Sequence, residues 1–453
     1  MSYLVATSRC PISHESLENR GSVKENVGGV ATALKRMLGE NGGTWVCWGN
    51  GKADSHYPVE NVGRYKVVRV FLSREEKTGF YDQFSNETLW PLFHYFRSRI
   101  KFSKSSYSYY LKVNEKFRDK ILENISNDTD IWIHDYQLAL LPKLLREARI
   151  NNHITFTWHI PWVSEEFFSI LPEARQIIQS ITSSDLITFH TRLYRDHFLS
   201  CTKRFLGRET GIKSKVLAVP LGIDTSYYSP RKTIPTSLAN IKNKDIIFSI
   251  DRLDYTKGLV NRVMAIDALL KKHSILRGKF VYIMVVNPSR TTISEYRAMK
   301  RELEMNIGRV NGKYGDFSWM PIIYMYRSIS DNLLKSLYTR AKIAFIAPLI
   351  DGLNLVSKEF VSVSEDGIII ISKFAGAAEE LSGAVKVNPY SIGDMADALF
   401  VALNMKEDEI RGRMNQMKHI VTKHDLNWWL STILRTIRKQ KRSANAWNVN
   451  GSD

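Results

Sequence analysis

The reading of the fold turns on DIIFSIDRLDYTKGLVNRVMAIDALLKKHSILRGKFVYIMVV, residues 245 to 286. Its two ends, DIIFSID (245 to 251) and KFVYIMVV (279 to 286), are apolar runs with the length and β-branched content of buried strands. Between them Leu259, Val263, Ile266 and Leu270 fall at i, i+4, i+7 and i+11, one face of a helix over about 257 to 272. Strand, helix and strand in this order make a β-α-β unit, with two parallel strands beneath a crossover helix.

The same rhythm extends in both directions. Upstream run YLVAT (3 to 7), DIWIHD (130 to 135), ITFTWHI (154 to 160), LITFH (186 to 190) and VLAVPLGID (216 to 224); downstream run PIIYMY (321 to 326), KIAFIAPL (342 to 349) and GIIIIS (367 to 372). Short apolar runs alternating with helical segments predict an α/β fold of parallel sheets covered by helices. With 453 residues the chain exceeds one ordinary core, so two domains are expected. The segment TSYYSPRKTIPTSLANIKNK (225 to 244), with its prolines and turn formers, reads as the linker between them. The expected division is 1 to 230, 231 to 423, and a C-terminal helix and tail from 424 to 453.

Lys and Arg outnumber Asp and Glu by 64 to 46, a formal charge of +18, which favours anionic partners without choosing among nucleic acid, membrane surface and phosphorylated metabolites. The stretch RSRIKFSKSSYSYYLKVNEKFRDK (97 to 120) is the one tempting nucleic-acid segment, but a solvated helix face is the better reading, so neither a nucleic-acid nor a membrane partner is expected. Cys10, Cys47 and Cys201 are scattered singly, so neither a disulfide framework nor a zinc knuckle is expected. No apolar run reaches the ~18 to 20 residues of a membrane span. A reducing cytoplasm fits both observations.

In doubly wound domains ligands bind beyond the carboxyl ends of the strands, and the polar motifs stand there. Arg252 and Lys257 follow the DIIFSID run, with Gly258 leading into the helix, so two cations and helix N–H groups can converge on one anion such as a diphosphate. Spacing alone equally allows simple pairing with Asp251 and Asp254. APLIDGLNLVSKEFV (347 to 361) repeats the pattern, a turn at Asp351-Gly352 and a helix from about Leu353, with Glu359 fitting either a site or ordinary helix electrostatics. Gly28 and Gly29 precede a helical segment but lack GxGxxG spacing. Asp135 and His159 close strands; Tyr81 and Trp90 offer flat faces to a sugar or fill a core.

Together SRCP, GGV, WGN, FYDQFSNETLWPLFHY, WIHDYQL, HIPW, RLDYTKG, PSR, NGKYG, DGLNLVSKE and FAGAAEEL, in this order from residue 8 to about 381, resemble the trehalose-6-phosphate synthases, a retaining glycosyltransferase family. The resemblance implies the GT-B class, two Rossmann-like domains facing across a cleft, with HDLNWWLSTILRTIRKQ (424 to 440) as the helix that returns to the first domain. It implies transfer of glucose from a nucleotide diphosphate sugar, usually UDP-glucose, to glucose 6-phosphate.

By motif, Arg252 and Lys257 would bind the donor diphosphate in place of a metal ion. Asp351, Gly352, Leu353, Asn354 and Leu355 would hold the glucose hydroxyls and phosphates, Glu359 the ribose, and Gly29 would admit the donor to the backbone. Arg9, Trp48, Tyr81, Trp90 and Arg290 would surround the acceptor, and Asp135 and His159 the reaction centre. No cofactor and no metal are expected, and a homo-oligomer is left open.

Departures at TSRCP, HDYQL and HIPWV, where Gln137 and Trp162 stand, touch the acceptor side. Glycerol 3-phosphate or a cyclitol phosphate therefore remains an alternative acceptor. A non-catalytic regulatory subunit would be expected to lose Arg252, Lys257, Asp351 or Glu359, and all are present. No phosphatase-like segment follows the motifs, so a separate enzyme is expected to remove the phosphate.

Overall fold

Two parallel sheets, each with its own buried core, account for the apolar runs. The computed structural model describes residues 2–16, 23–25, 28–207, 213–230, 241, 243–289 and 294–450. The chain divides into a first unit, Met1–Leu221 with Trp428–Asp453, and a second, Gly222–Asn427. Most of the expected linker lies outside the described residues.

The first unit contains β1 (Ser2–Thr7), β2 (Ile12–His14), β3 (Val23–Glu25), β4 (Gly43–Trp48), β5 (Val59–Val62), β6 (Tyr65–Val70), β7 (Thr129–His134), β8 (Ile154–Thr157), β9 (Leu186–Phe189) and β10 (Lys215–Ala218). Eight of them form one sheet in the order β10-β9-β8-β7-β1-β4-β6-β5, parallel except for the β5–β6 pair, while β2 and β3 form a separate antiparallel pair. Strands β1, β4 and β7 to β9 are buried almost throughout, which explains their unbroken apolar sequences. The helix Leu426–Asn450 packs on this sheet: Trp429 stacks on Trp132 with centroids 5.3 Å apart, Lys441 pairs with Asp130 at 2.6 Å, and Gln440 Nε2 donates to the Asp185 carbonyl at 3.0 Å.

The second unit holds β11 (Asp245–Arg252), β12 (Phe280–Asn287), β13 (Ile322–Met325), β14 (Ile343–Ile346), β15 (Ile368–Ser372) and β16 (Val385–Val387), all parallel in the order β13-β12-β11-β14-β15-β16. The β-α-β unit is present as read, Asp245 opposite Phe280 through to Arg252 opposite Asn287, with the helix at Leu259–Lys272 burying Leu259, Val263, Ile266 and Leu270.

Three features correct the sequence reading. GTWVCW and YKVVRV are central strands that it passed over. Arg69 breaks the apolar pattern of the second, yet it is buried against Glu60 at 2.8 Å and Asp54 at 3.7 Å.

Cys10 and Cys47 form a disulfide with Cα atoms 5.0 Å apart. Their separation of 37 residues conceals this, whereas the pairing of β1 with β4, Thr7 opposite Cys47, brings them together. The reducing compartment thereby loses the support it drew from isolated cysteines; Cys201 is buried and in no disulfide, its sulfur accepting from Trp162 Nε1 at 3.3 Å.

Thr78–Leu89 is a π-helix, a form that is rare and gathers at functional sites. Its five-residue spacing is reinforced by side chains, Ser85 Oγ donating to the Phe80 carbonyl at 2.7 Å and Asn86 Nδ2 to that of Tyr81 at 2.8 Å. The basic stretch at 97 to 120 contributes the helix Lys104–Leu122, whose buried face is Tyr110, Val113, Phe117 and Ile121. Among the described residues no helix is long and apolar enough to cross a membrane.

Candidate active site

In each sheet the strand order reverses at one place, and polar side chains gather beyond the strand ends there. In the first sheet β1 lies between β7 and β4, so the loops after β1 and β7 diverge. Arg9 follows β1 and is exposed; its guanidinium donates to the Tyr81 hydroxyl at 2.7 Å. The π-helix presents Tyr81, and Trp48, at the end of β4, meets its ring with centroids 5.4 Å apart. Trp90 follows the π-helix, buried against His94 at 4.1 Å and Tyr136 at 5.9 Å between centroids.

Asp135 follows β7 with φ 73°, in the left-handed region that Asp tolerates better than most residues. Its Oδ1 accepts from the backbone N–H of Tyr136 at 3.0 Å and of His159 at 3.3 Å. Burial raises its pKa to about 6, against the opposing pull of those two N–H groups and of Arg9.

Beside it runs a chain of imidazoles. His134 Nδ1 lies 3.0 Å from His159 Nε2, His159 Nδ1 lies 3.0 Å from His190 Nε2, and the Leu221 N–H donates to His190 Nδ1 at 3.3 Å. Burial pushes the His134 pKa down to about 3 and that of His159 well below the usual histidine value, so both rings are neutral.

In the second sheet the reversal lies between β11 and β14. Asp251 is engaged by the fully buried Arg262 at 2.6 Å, and Asp254 accepts from the Thr256 N–H and hydroxyl, each at 3.1 Å. Lys257 reaches instead across to the loop after β14 and pairs with Asp351 at 2.5 Å. Arg262 ties the same loops together, donating to the carbonyls of Lys257 at 3.0 Å and Phe345 at 3.1 Å.

Gly258 adopts φ 61°, and a Cβ there would stand 2.6 Å from the Ala347 carbonyl oxygen, so only glycine allows this approach. Asp351 to Leu353 is pinned on its other side: Asp351 bridges to Ala375, and the Ala377 N–H donates to the Leu353 carbonyl at 2.7 Å.

The helix after this loop starts at Leu355, not at about Leu353. Asn354, at φ 78°, is its cap, accepting from the Ser357 N–H at 3.1 Å while its own amide donates to Asp351 at 3.1 Å. One turn on, Glu359 accepts from the Tyr338 hydroxyl at 2.9 Å and is also hydrogen-bonded to Tyr228; burial raises its pKa. Lys358 faces inward, paired with Glu380 at 2.6 Å.

The structure thus brings together Arg9, Trp48 and Tyr81; Asp135 and His159; and Lys257, Asp351 and Asn354. Arg252 ends β11, with Gly352, Leu353 and Leu355 in the adjoining loop and helix start. Gly29 opens the helix Gly29–Asn41 in the first unit, and Arg290 lies outside the described residues. Trp162 is wholly buried among Phe93, Trp158, Phe168 and Phe198, a core position.

Sequence reading passed over His134 and His190, although IWIH, TWH and ITFH end three successive runs in the same residue. It also passed over Tyr228 and Tyr338. Among the described residues no group of three or more His, Cys, Asp or Glu is arranged to hold a metal ion.

Comparison with known proteins gives a consistent picture. The model of Glycosyltransferase family 20 matches residues 2–439. The bifunctional trehalose-6-phosphate synthase/phosphatase of Thermoproteus tenax is 37% identical over 459 residues, covering 95% of this chain and 62% of its own length. The trehalose-6-phosphate synthase of Enterobacter sp. (strain 638) is 34% identical over 436 residues, 92% of each chain. An E. coli trehalose-6-phosphate structure bound with UDP-2-fluoro glucose superposes with a TM-score of 0.90 at 32% identity, over 96% of this chain and 99% of its own. The expected fold class, two Rossmann-like domains of the GT-B type, is matched by this neighbour.

Proposed function

The chain belongs to glycosyltransferase family 20, and from that premise we propose that it is a retaining glucosyltransferase, moving glucose from UDP-glucose to glucose 6-phosphate to give trehalose 6-phosphate. The observation that carries the donor assignment is the Lys257–Asp351 pair, with Arg252 at the end of β11, the strand that precedes Lys257, at the reversal point of the second sheet. Asp351 holds the ammonium in place until a diphosphate takes it over. The carboxylate is then available to the glucose hydroxyls, together with Asn354. Arg252 and Lys257 stabilise the charge that grows on the departing UDP, a preorganised electrostatic contribution. Glu359, held by two tyrosine hydroxyls, is suited to accept from a ribose hydroxyl.

On the acceptor side Arg9, steered by Tyr81, meets the phosphate, and Trp48 and Tyr81 supply a flat wall for the ring. In the transfer step the bond from the anomeric carbon to the phosphate oxygen breaks, and a bond from that carbon to the acceptor oxygen forms on the same face. The acceptor proton passes to the leaving phosphate oxygen. His159 fits this scheme as a group that takes no proton, since both its ring nitrogens are engaged by other histidines.

The test is UDP release from UDP-glucose with glucose 6-phosphate, with glycerol 3-phosphate, and with no acceptor. Release that needs glucose 6-phosphate and yields a non-reducing disaccharide phosphate is expected. Release only with another acceptor would reassign the acceptor, and silence throughout would refute the activity.

A further inference from the structure

Three strands of the first sheet, β7, β8 and β9, send His134, His159 and His190 into one row, and a single backbone amide determines how every proton in that row is placed. An amide N–H can only donate, so His190 Nδ1, 3.3 Å from the Leu221 nitrogen, accepts. The His190 proton then sits on Nε2 and points to His159 Nδ1 at 3.0 Å, which must accept. His159 therefore carries its proton on Nε2 and donates to His134 Nδ1 at 3.0 Å. His134 in turn holds its proton on Nε2, a buried nitrogen that finds no hydrogen-bond partner among the described residues.

Such a row does not carry protons. One end is an amide that gives none up, and the other is an N–H closed off in a ring that is 2% exposed. Nor does His159 have a ring nitrogen left for a substrate. What it does offer is its backbone N–H, which with that of Tyr136 holds Asp135 Oδ1. The loops after β7 and β8 are thereby fastened twice, through the rings and through the carboxylate.

We propose that His190 is a positioning residue for the transfer reaction: it locks the tautomer and ring orientation of His159, and so the backbone that aims Asp135. The proposal rests on the glucosyltransferase reading for its catalytic purpose, while the lock itself stands on the hydrogen-bond geometry alone. His134 completes the row from the other side.

The test combines a spectrum with kinetics. Histidine-labelled 15N spectra of the protein without substrate are expected to show His159 wholly in its Nε2–H form from pH 6 to 8. His159 in the Nδ1–H form, or exchanging between forms, overturns the lock whatever the variants do.

His190→Ala is expected to lower kcat roughly 10- to 100-fold, the range that a small misplacement near the chemistry produces, with the KM for UDP-glucose unchanged. His190→Gln, whose amide N–H stands where Nε2–H stood, is expected to keep the His159 tautomer and recover most of that loss. An unchanged kcat in His190→Ala, or a glutamine variant as impaired as the alanine one, overturns the positioning role. If the wild-type protein transfers no glucose to any acceptor, the functional reading fails and takes the catalytic purpose with it; the tautomer spectrum still upholds or overturns the lock separately.

Discussion

Asp135→Asn should make this protein more stable while disabling it. The substitution keeps the shape, and Asn accepts the same two N–H groups and tolerates the left-handed backbone at φ 73°. What it removes is a carboxylate whose pKa rises from 3.8 to about 6 on folding. A raised carboxylate pKa means that the unfolded chain binds fewer protons between those values, so folding stability falls as pH rises through that window.

The shift corresponds to about 3 kcal/mol at neutral pH, and solvent reaching the partly exposed side chain reduces it to roughly 1 to 3 kcal/mol. At about 2 to 4 °C per kcal/mol for units of this size, the variant should melt roughly 3 to 10 °C higher at pH 7.5. At pH 4.5 only about a third of the effect should remain, because there the wild-type carboxyl is protonated in the folded state. Paired thermal scans at the two pH values provide the measurement. A variant no more stable than wild type at pH 7.5, or a gain that persists undiminished at pH 4.5, would mean that burial does not raise the Asp135 pKa.

Lys257→Ala should lower turnover by about 10²- to 10³-fold, the cost of deleting one preorganised charge partner of a leaving group; a rate near wild type in the UDP-release assay would exclude that role. Arg9→Ala should raise the KM for glucose 6-phosphate about tenfold, one lost charge-assisted contact, and leave that for UDP-glucose alone, so equal effects on both substrates would contradict the acceptor assignment. Gly258→Ala introduces a Cβ 2.6 Å from a carbonyl oxygen and about 1 to 2 kcal/mol of left-handed strain. It should lower the melting temperature and weaken UDP-glucose binding together, and a variant with neither defect would show that the two loops do not need their close approach.

Much of the architecture was legible because parallel strands buried on both faces write themselves as continuous apolar runs. The reading faltered where burial is achieved by other means. YKVVRV hides a central strand because Arg69 is neutralised by Glu60, nine residues upstream, and by Asp54, contacts that no strand or helix periodicity records. The π-helix has a five-residue period that a search for helical or strand periodicity does not sample, and the Cys10–Cys47 bond depends on strand order. In the site, Arg252, Lys257 and Asp351 stood out by position after strands. That Lys257 would choose Asp351, 94 residues away, over nearby Asp254 is a tertiary fact. Glu359 was ambiguous alone and gains meaning from the hydroxyls of Tyr228 and Tyr338.

The bond between Cys10 and Cys47 closes a covalent ring that also encloses β2, β3 and the helix Gly29–Asn41. In polymer terms such a ring acts on the chain that has lost its fold, which can no longer spread these segments freely. For a loop of this length the lost chain entropy is worth about 4 kcal/mol. Arg9 and Trp48 adjoin the two cysteines, so the residues proposed to meet the acceptor stay tethered even when the strands of the first unit part. Refolding from that state begins with Arg9 and Trp48 already neighbours.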